Sequence, residues 1–194
     1  ALMIAGIALL VTAPPGLLIG AAAGYAGRWL DAALMALVDA LLAFPALLLA
    51  LALVTLLGDG LTQIAVAVGI AGIPGYARVV RAAVLEARAR PFVEAARSLG
   101  AAPPGIVWRH VVPTILPPVL AFTSVTLSWA ILNGAALAFL GYAGDLSAPD
   151  WGIMLADGRA TFRTAPWIAL APGVAISALI FALNLLGGGL ARQR

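Results

Sequence analysis

The longest polar interval, and the densest group of charged side chains, is residues 78–118. The stretch carries Arg78, Arg81, Arg88, Arg90, Arg97 and Arg109, with Glu86, Glu94 and the only histidine, His110. All eleven basic residues of the chain are arginine, and six of them lie here. Such a set suits charge pairing and docking better than bond making. A phosphate-cradling Gly-x-x-x-x-Gly-Lys-Ser/Thr loop needs a lysine, and the chain has none. A zinc site of the His-Glu-x-x-His type needs a second histidine. Gly-x-Ser-x-Gly does not occur, so a nucleophile elbow has no support. Gly141-Tyr142-Ala143-Gly144-Asp145 misses the Gly-x-Gly-Asp spacing of an intramembrane aspartyl site. With no cysteine, disulfides and thiolate metal sites are excluded.

The polar stretch must be positioned by very apolar surroundings. Hydrophobic residues make up 63% of the 194 residues and charged residues 10%, with a mean hydropathy of +1.09. A soluble domain is nearer half apolar and a quarter charged, so an integral membrane protein is expected. Runs of about 20 apolar residues, enough for a helical span, occur at about 2–24, 32–57, 61–77, 117–141 and 166–188. None alternates over about ten residues as a porin strand would. The expected fold is an all-α polytopic helix bundle, one transmembrane domain over 1–194 with five spans. Pro14 and Pro15 fall inside the first span, and Pro45 is a kink candidate in the second. Prolines are tolerated there because neighbours re-satisfy the backbone. Gly16, Gly20, Ala21 and Gly24 in the first span, with Gly69, Gly72 and Gly75 in the third, would let helices approach closely.

Five spans put the polar intervals on alternate sides. One side receives Arg28, the six arginines of 78–116, Arg192 and Arg194; the other receives Arg159 and Arg163 with Asp59, Asp145, Asp150 and Asp157. The arginine-rich side should be cytoplasmic. The net charge of +3 is therefore read as topological, with no nucleic-acid partner. Asp39 is the one acid within a span, and structural pairing is the favoured reading for it.

Within the central interval the pattern is a short helical hairpin. Pro91 can open a helix. Phe92, Ala95, Ala96 and Leu99 then fall at i, i+3, i+4 and i+7. Gly100 sits where a C′ glycine ends a helix. Pro103 and Pro104 suit the start of a second helix, and Pro113 and Pro117 its exit. Glu94-Ala95-Ala96, three residues, Gly100, nine residues and His110-Val111-Val112-Pro113 together resemble the EAA loop of membrane subunits of ABC importers. His110 and Val112 stand where that family usually has Ile and Leu. Leu41-Leu42-Ala43-Phe44-Pro45, Pro74-Gly75-Tyr76-Ala77-Arg78, Phe139-Leu140-Gly141, Trp151-Gly152-Ile153-Met154-Leu155 and Asn184-Leu185-Leu186-Gly187 are similar, in order, to the dipeptide, oligopeptide and nickel branch, second permease type.

The resemblance implies a type I importer fold. It implies a homologous second permease subunit, two ABC ATPase subunits and an extracytoplasmic substrate-binding protein as partners, in a bacterial or archaeal plasma membrane. It implies no cofactor on this chain, with ATP and Mg held by the ATPases, and therefore no enzyme activity of its own. Glu94, Ala95, Ala96, Arg97, Leu99, Gly100 and Arg109 would form the ATPase docking surface. The bland alternatives are local pairing of Glu94 with Arg90 or Arg97, and lipid contact for Arg97 and Arg109. His110 reads as a structural residue at the junction. Ser128 and Asn133 are pathway candidates. Gly134 departs from the branch, which commonly has glutamate there. The interval 142–165 would face the binding protein, with Trp151 as an interfacial anchor. The chain opens without a methionine inside an apolar run, which reads as part of a longer protein. The resemblance implies a further N-terminal span. A channel or a proton-coupled transporter is the alternative, and would depend on intramembrane ionisable residues such as Asp39.

Overall fold

The computed structural model describes residues 1–25, 27–145 and 147–191. Among these there are helices and connecting turns only. In order they are α1 Leu2–Tyr25, α2 Arg28–Leu42, α3 Ala46–Leu57, α4 Leu61–Arg88, α5 Pro91–Ser98 and α6 Pro103–Ile106. A wide turn, Val107–Val111, leads into α7 Val112–Leu137. A second, Ala138–Tyr142, precedes α8 Trp151–Ala160 and α9 Trp167–Ala191. Among the described residues, four helices are long and apolar enough to cross a membrane; a fifth crossing needs α2 and α3 together.

Pro45 does more than kink the second apolar run. The axes of α2 and α3 meet at 84°. Proline cannot donate to the ladder and disfavours helical geometry in the residue before it, so α2 stops and α3 restarts on Pro45. The apolar run 61–77 is the first part of α4. At about 1.5 Å per residue that helix is about 42 Å long, more than a bilayer core of about 30 Å. Arg78, Arg81 and Arg88 therefore stand on a helix, not in a loop.

The expected exit at Pro113 and Pro117 is not a break. The helix runs through both prolines. In the wide turn before them, the Val112 N–H bonds to the Val107 carbonyl, one residue further back than in an α-helix. Pro113 then falls in the first turn of α7, where a missing donor matters least. The Thr114 hydroxyl donates to the His110 carbonyl at 2.6 Å and occupies one of the turn's acceptors.

The tightest packing is along α1 and α4. Gly16, Gly20 and Gly24 repeat every fourth residue and face Tyr76, Val80 and Val84. A Cβ on Gly20 would lie 2.4 Å from the Ala77 carbonyl oxygen. Gly69 returns the relation, since its Cβ would meet Val11 and the Ala8 carbonyl oxygen within 3 Å. The buried Thr12 hydroxyl donates across the seam to the Gly69 carbonyl at 2.7 Å. The expected small-residue packing is thus present at all of these positions; Gly75 is different, with nothing within 4 Å of its would-be Cβ.

At the end away from the α5 hairpin, Gly58, Gly60, Gly141 and Gly144 all have positive φ, and the Gly60 N–H donates to the Tyr142 carbonyl at 2.8 Å. In the next loop the Ser147 hydroxyl (2.6 Å) and N–H (2.9 Å) both donate to Asp145, holding its carboxyl below the usual carboxylate range. Much of the interval 142–165 is the ordered α8. Asp150 is buried and caps it, accepting from the Gly152 N–H at 2.8 Å. Gly152 lies against Ala135 and Ala138, and Trp151 packs half-buried on the core.

Candidate functional site

The hairpin between α4 and α7 is built as its local sequence dictates. Pro91 opens α5. Gly100 has φ +80°, and the Ala101 N–H reaches back to the Ala96 carbonyl at 3.1 Å, the bond expected beyond a C′ glycine. The inner side of the hairpin is held by Val93, which is fully buried with Ile106, Val111, Val84 and Ala87. Sequence reading missed Val93, because one apolar residue beside a longer apolar stripe carries no periodic signal.

Most of the stripe faces out; Ala96 is half-buried and packs with Val93 against the same cluster. Leu99 is 88% exposed, Phe92 40% and Trp108, on the neighbouring wide turn, 72%. Ala95 is exposed too. Phe92 is oriented by His110, whose half-buried ring lies 6.0 Å from it. Glu94 and Arg109 are exposed, and neither has an ion-pair partner among the described residues. Arg90 does not reach Glu94; it pairs with Glu86 at 2.9 Å. Arg97 lies on α5, and its side chain is outside the described residues. The hairpin thus presents apolar and charged groups together on a surface that none of the described residues covers. Trp108 belongs to that surface; its position one residue before Arg109 was the only signal for it.

The hairpin is mounted on a braced frame. Arg81 grips Asp31 with two bonds, Nε to Oδ1 at 2.5 Å and Nη2 to Oδ2 at 2.6 Å, joining α4 to α2. Arg78 pairs with Asp39 on the same two helices, so Asp39 is a paired structural acid. Arg88 donates to the Gly24 carbonyl at 2.8 Å and the Tyr25 carbonyl at 3.3 Å, and its guanidinium lies 5.9 Å from the Tyr25 ring centre. It satisfies carbonyls that the end of α1 would otherwise leave open.

Ser128 and Asn133 do not meet. Ser128 is buried where α7 crosses α9, and accepts from the Asn184 amide at 3.3 Å while donating to the Ser124 carbonyl. Gly187 brings the two helices together there, its would-be Cβ 2.8 Å from Ser124. The Asn133 amide donates to the Trp129 carbonyl of its own helix at 2.8 Å. Gly134 is packed under Ile4, which lies 2.6 Å from where a Cβ would stand, so a larger side chain has no room. The open space lies elsewhere. A cavity of about 180 Å³ sits between the Pro45 elbow, α4 and α7, lined by Gly72, Gly75, Tyr76, Phe122, Thr126 and Trp129, with Leu42 and Val125 at its rim.

Known proteins share this arrangement. Residues 16–193 match the family described as binding-protein-dependent transport system inner membrane component. The chain belongs to that family. It is 38% identical over 175 residues to the dipeptide transport system permease protein DppC of Alkalihalophilus pseudofirmus, covering 90% of this chain and 58% of that protein. It is 39% identical, with the same coverage, to the glutathione transport system permease protein GsiD of Pectobacterium atrosepticum. The chain therefore spans a little over half the length of these curated relatives. An inward-facing structure of the MetNI methionine ABC transporter superposes with a TM-score of 0.74, covering 98% of this chain and 91% of that one at 21% identity. That likeness establishes the type I importer transmembrane fold, which the family's sequence pattern implied.

Proposed function

We propose that this chain is the membrane permease part of an ATP-driven importer, forming half of a translocation pathway and receiving force through the 92–110 hairpin. The observation that carries the reading is the hairpin surface. Phe92, Leu99 and Trp108 are exposed beside Glu94 and Arg109, which have no ion-pair partner among the described residues, on a piece packed through Val93 against α4 and the turn that leads into α7. Exposed apolar groups ringed by charge mark a partner site. Two nucleotide-binding subunits, with ATP and Mg bound to them, are the partners that fit, since this chain carries no phosphate-binding loop. Glu94, Ala95, Ala96, Arg97, Leu99, Gly100 and Arg109 form the contact in this reading. A homologous second permease completes the pathway, and a binding protein delivers solute from the far side.

The hairpin end is the cytoplasmic one, on the weight of its arginines. The solute is a dipeptide, glutathione or a related small molecule, by likeness to relatives so named. A self-contained proton-coupled transporter finds less support, because Asp39 is neutralised by Arg78. The test is extraction of the tagged full-length protein in mild detergent, with mass spectrometry of the co-purifying chains. A second hydrophobic subunit and Walker-motif ATPases are expected. A lone chain or a homo-oligomer, recovered repeatedly under gentler extraction, rules the reading out.

A further inference from the structure

The cavity beside the Pro45 elbow has no part in the docking argument, yet it is unusual in its chemistry. No charged side chain lines it. Its hydroxyls are already committed. Thr123 donates to the Val119 carbonyl at 2.9 Å, which leaves Tyr76 to donate to Thr123, also at 2.9 Å. Thr126 donates to the Phe122 carbonyl at 3.1 Å. These groups have no free donor to offer a solute. The rest of the wall is apolar, with the aromatic side chains Phe122 and Trp129, Ala46 and Ala71, and the backbone of Gly72 and Gly75. The pocket is half open, and its volume of about 180 Å³, close to that of a cavity of about 150 Å³ that accepts benzene, suits a phenyl ring or a branched aliphatic side chain. Its main walls, α4 and α7, are the two helices that carry the hairpin. Movement of the hairpin would therefore alter the cavity's shape.

We propose that this cavity is a binding subsite for one uncharged apolar side chain of the transported solute. The proposal rests on the permease reading and adds to it the class of group the chain itself recognises. Position 75 reports on it directly. A side chain there meets nothing within 4 Å, and these 194 residues contain no cysteine, so Gly75→Cys adds a thiol at the cavity whose labelling is read on the peptide that contains position 75. The assembled transporter carrying this change is reconstituted in liposomes. Benzyl methanethiosulfonate should label it about tenfold faster than the sulfonatoethyl reagent, each normalised to its rate with free thiol in water, as burial of a ring predicts. A dipeptide with phenylalanine or leucine should slow labelling, and glycylglycine should not. Val125→Cys, at the exposed rim, is a second reporter and should show the same order.

Equal normalised rates for the two reagents would mean a wet, unselective cavity and overturn the proposal. So would protection that follows the acyl-chain length of the vesicle lipid and ignores peptides, since the occupant would then be a lipid tail. Co-purification of ATPases with the same variant separates the two readings. With ATPases present and no peptide protection, only the cavity proposal falls; with ATPases absent, the permease reading falls as well.

Discussion

The α1–α4 seam and the α5 hairpin are both rich in small residues, and they use them in opposite ways. Along the seam four glycines are filled from outside. Gly16, Gly20, Gly24 and Gly69 each have a neighbour where their own Cβ would stand. On the hairpin, Gly100 and Gly105 have nothing within 4 Å, and Ala95 faces out. In the seam, small residues bring two backbones of one chain together, and van der Waals contact stabilises the pair. On the hairpin they leave a smooth surface between exposed Phe92, Leu99 and Trp108. The same composition therefore serves a contact made within the chain and, in the proposed reading, one made with a partner.

Breaking the closed side should have the largest effect. Gly20→Leu places a side chain against the Ala77 carbonyl and Val80, with no flexible group to yield. The expected loss is at least about 3 kcal/mol, the upper range for overpacking, and it should appear as little or no folded protein in detergent by size-exclusion and thermal melting. The open side should respond differently. Leu99→Asp alters a residue that is 88% exposed, so the melting temperature should stay where it is. ATPase co-purification should fall about tenfold or more, as for a residue central to an interface. If Leu99→Asp instead lowers the melting temperature as Gly20→Leu does, the two regions are not distinct in kind and the hairpin belongs to the fold alone.

The two regions also differ in how far they could be read from sequence. Gly16, Gly20 and Gly24 announce a close approach by spacing alone, but only a tertiary structure supplies Val80 and Val84 as what fills it. The hairpin's limits were legible because Pro91 and Gly100 act locally, through a fixed φ and a left-handed turn. Its orientation was not, because the buried Val93 lies outside the Phe92, Ala95, Ala96 and Leu99 stripe, of which only Ala96 packs beside it. Pro45 and Pro113 show the same limit. Both were expected to interrupt a helix. One turns the chain by 84°, while the other is absorbed by the wide turn Val107–Val111. The difference lies in which residues precede each proline and what they can bond, a local geometry that composition does not encode. Ser128 and Asn133 were chosen as polar residues in an apolar helix. Their hydrogen bonds to Ser124, Asn184 and Trp129 show that polarity in a span can equally serve helix contacts.

The frame between the two regions offers the finest distinction. Arg81–Asp31 and Arg78–Asp39 join the same helices, α4 and α2, and the sequence gives no reason to rank them. Burial and geometry do. The first pair is bidentate and its side chains are 30% and 22% exposed; the second is 52% and 60% exposed. Solvent screening and side-chain entropy remove most of the benefit of an exposed pair, whereas a two-bond pair held partly from water keeps more of it. Arg81→Ala should therefore cost about 1–2 kcal/mol, and Arg78→Ala about 0.5 kcal/mol or less. Thermal melts of the two variants in the same detergent, at low and high salt, make the comparison. Arg78→Ala should approach the parent as salt rises, because added ions weaken the exposed pair in the parent too. Arg81→Ala should remain the less stable at both. The reverse order would mean that α2 is held to α4 by its end nearer Pro45, and that the elbow, not the Asp31 end, is the fixed point of the frame.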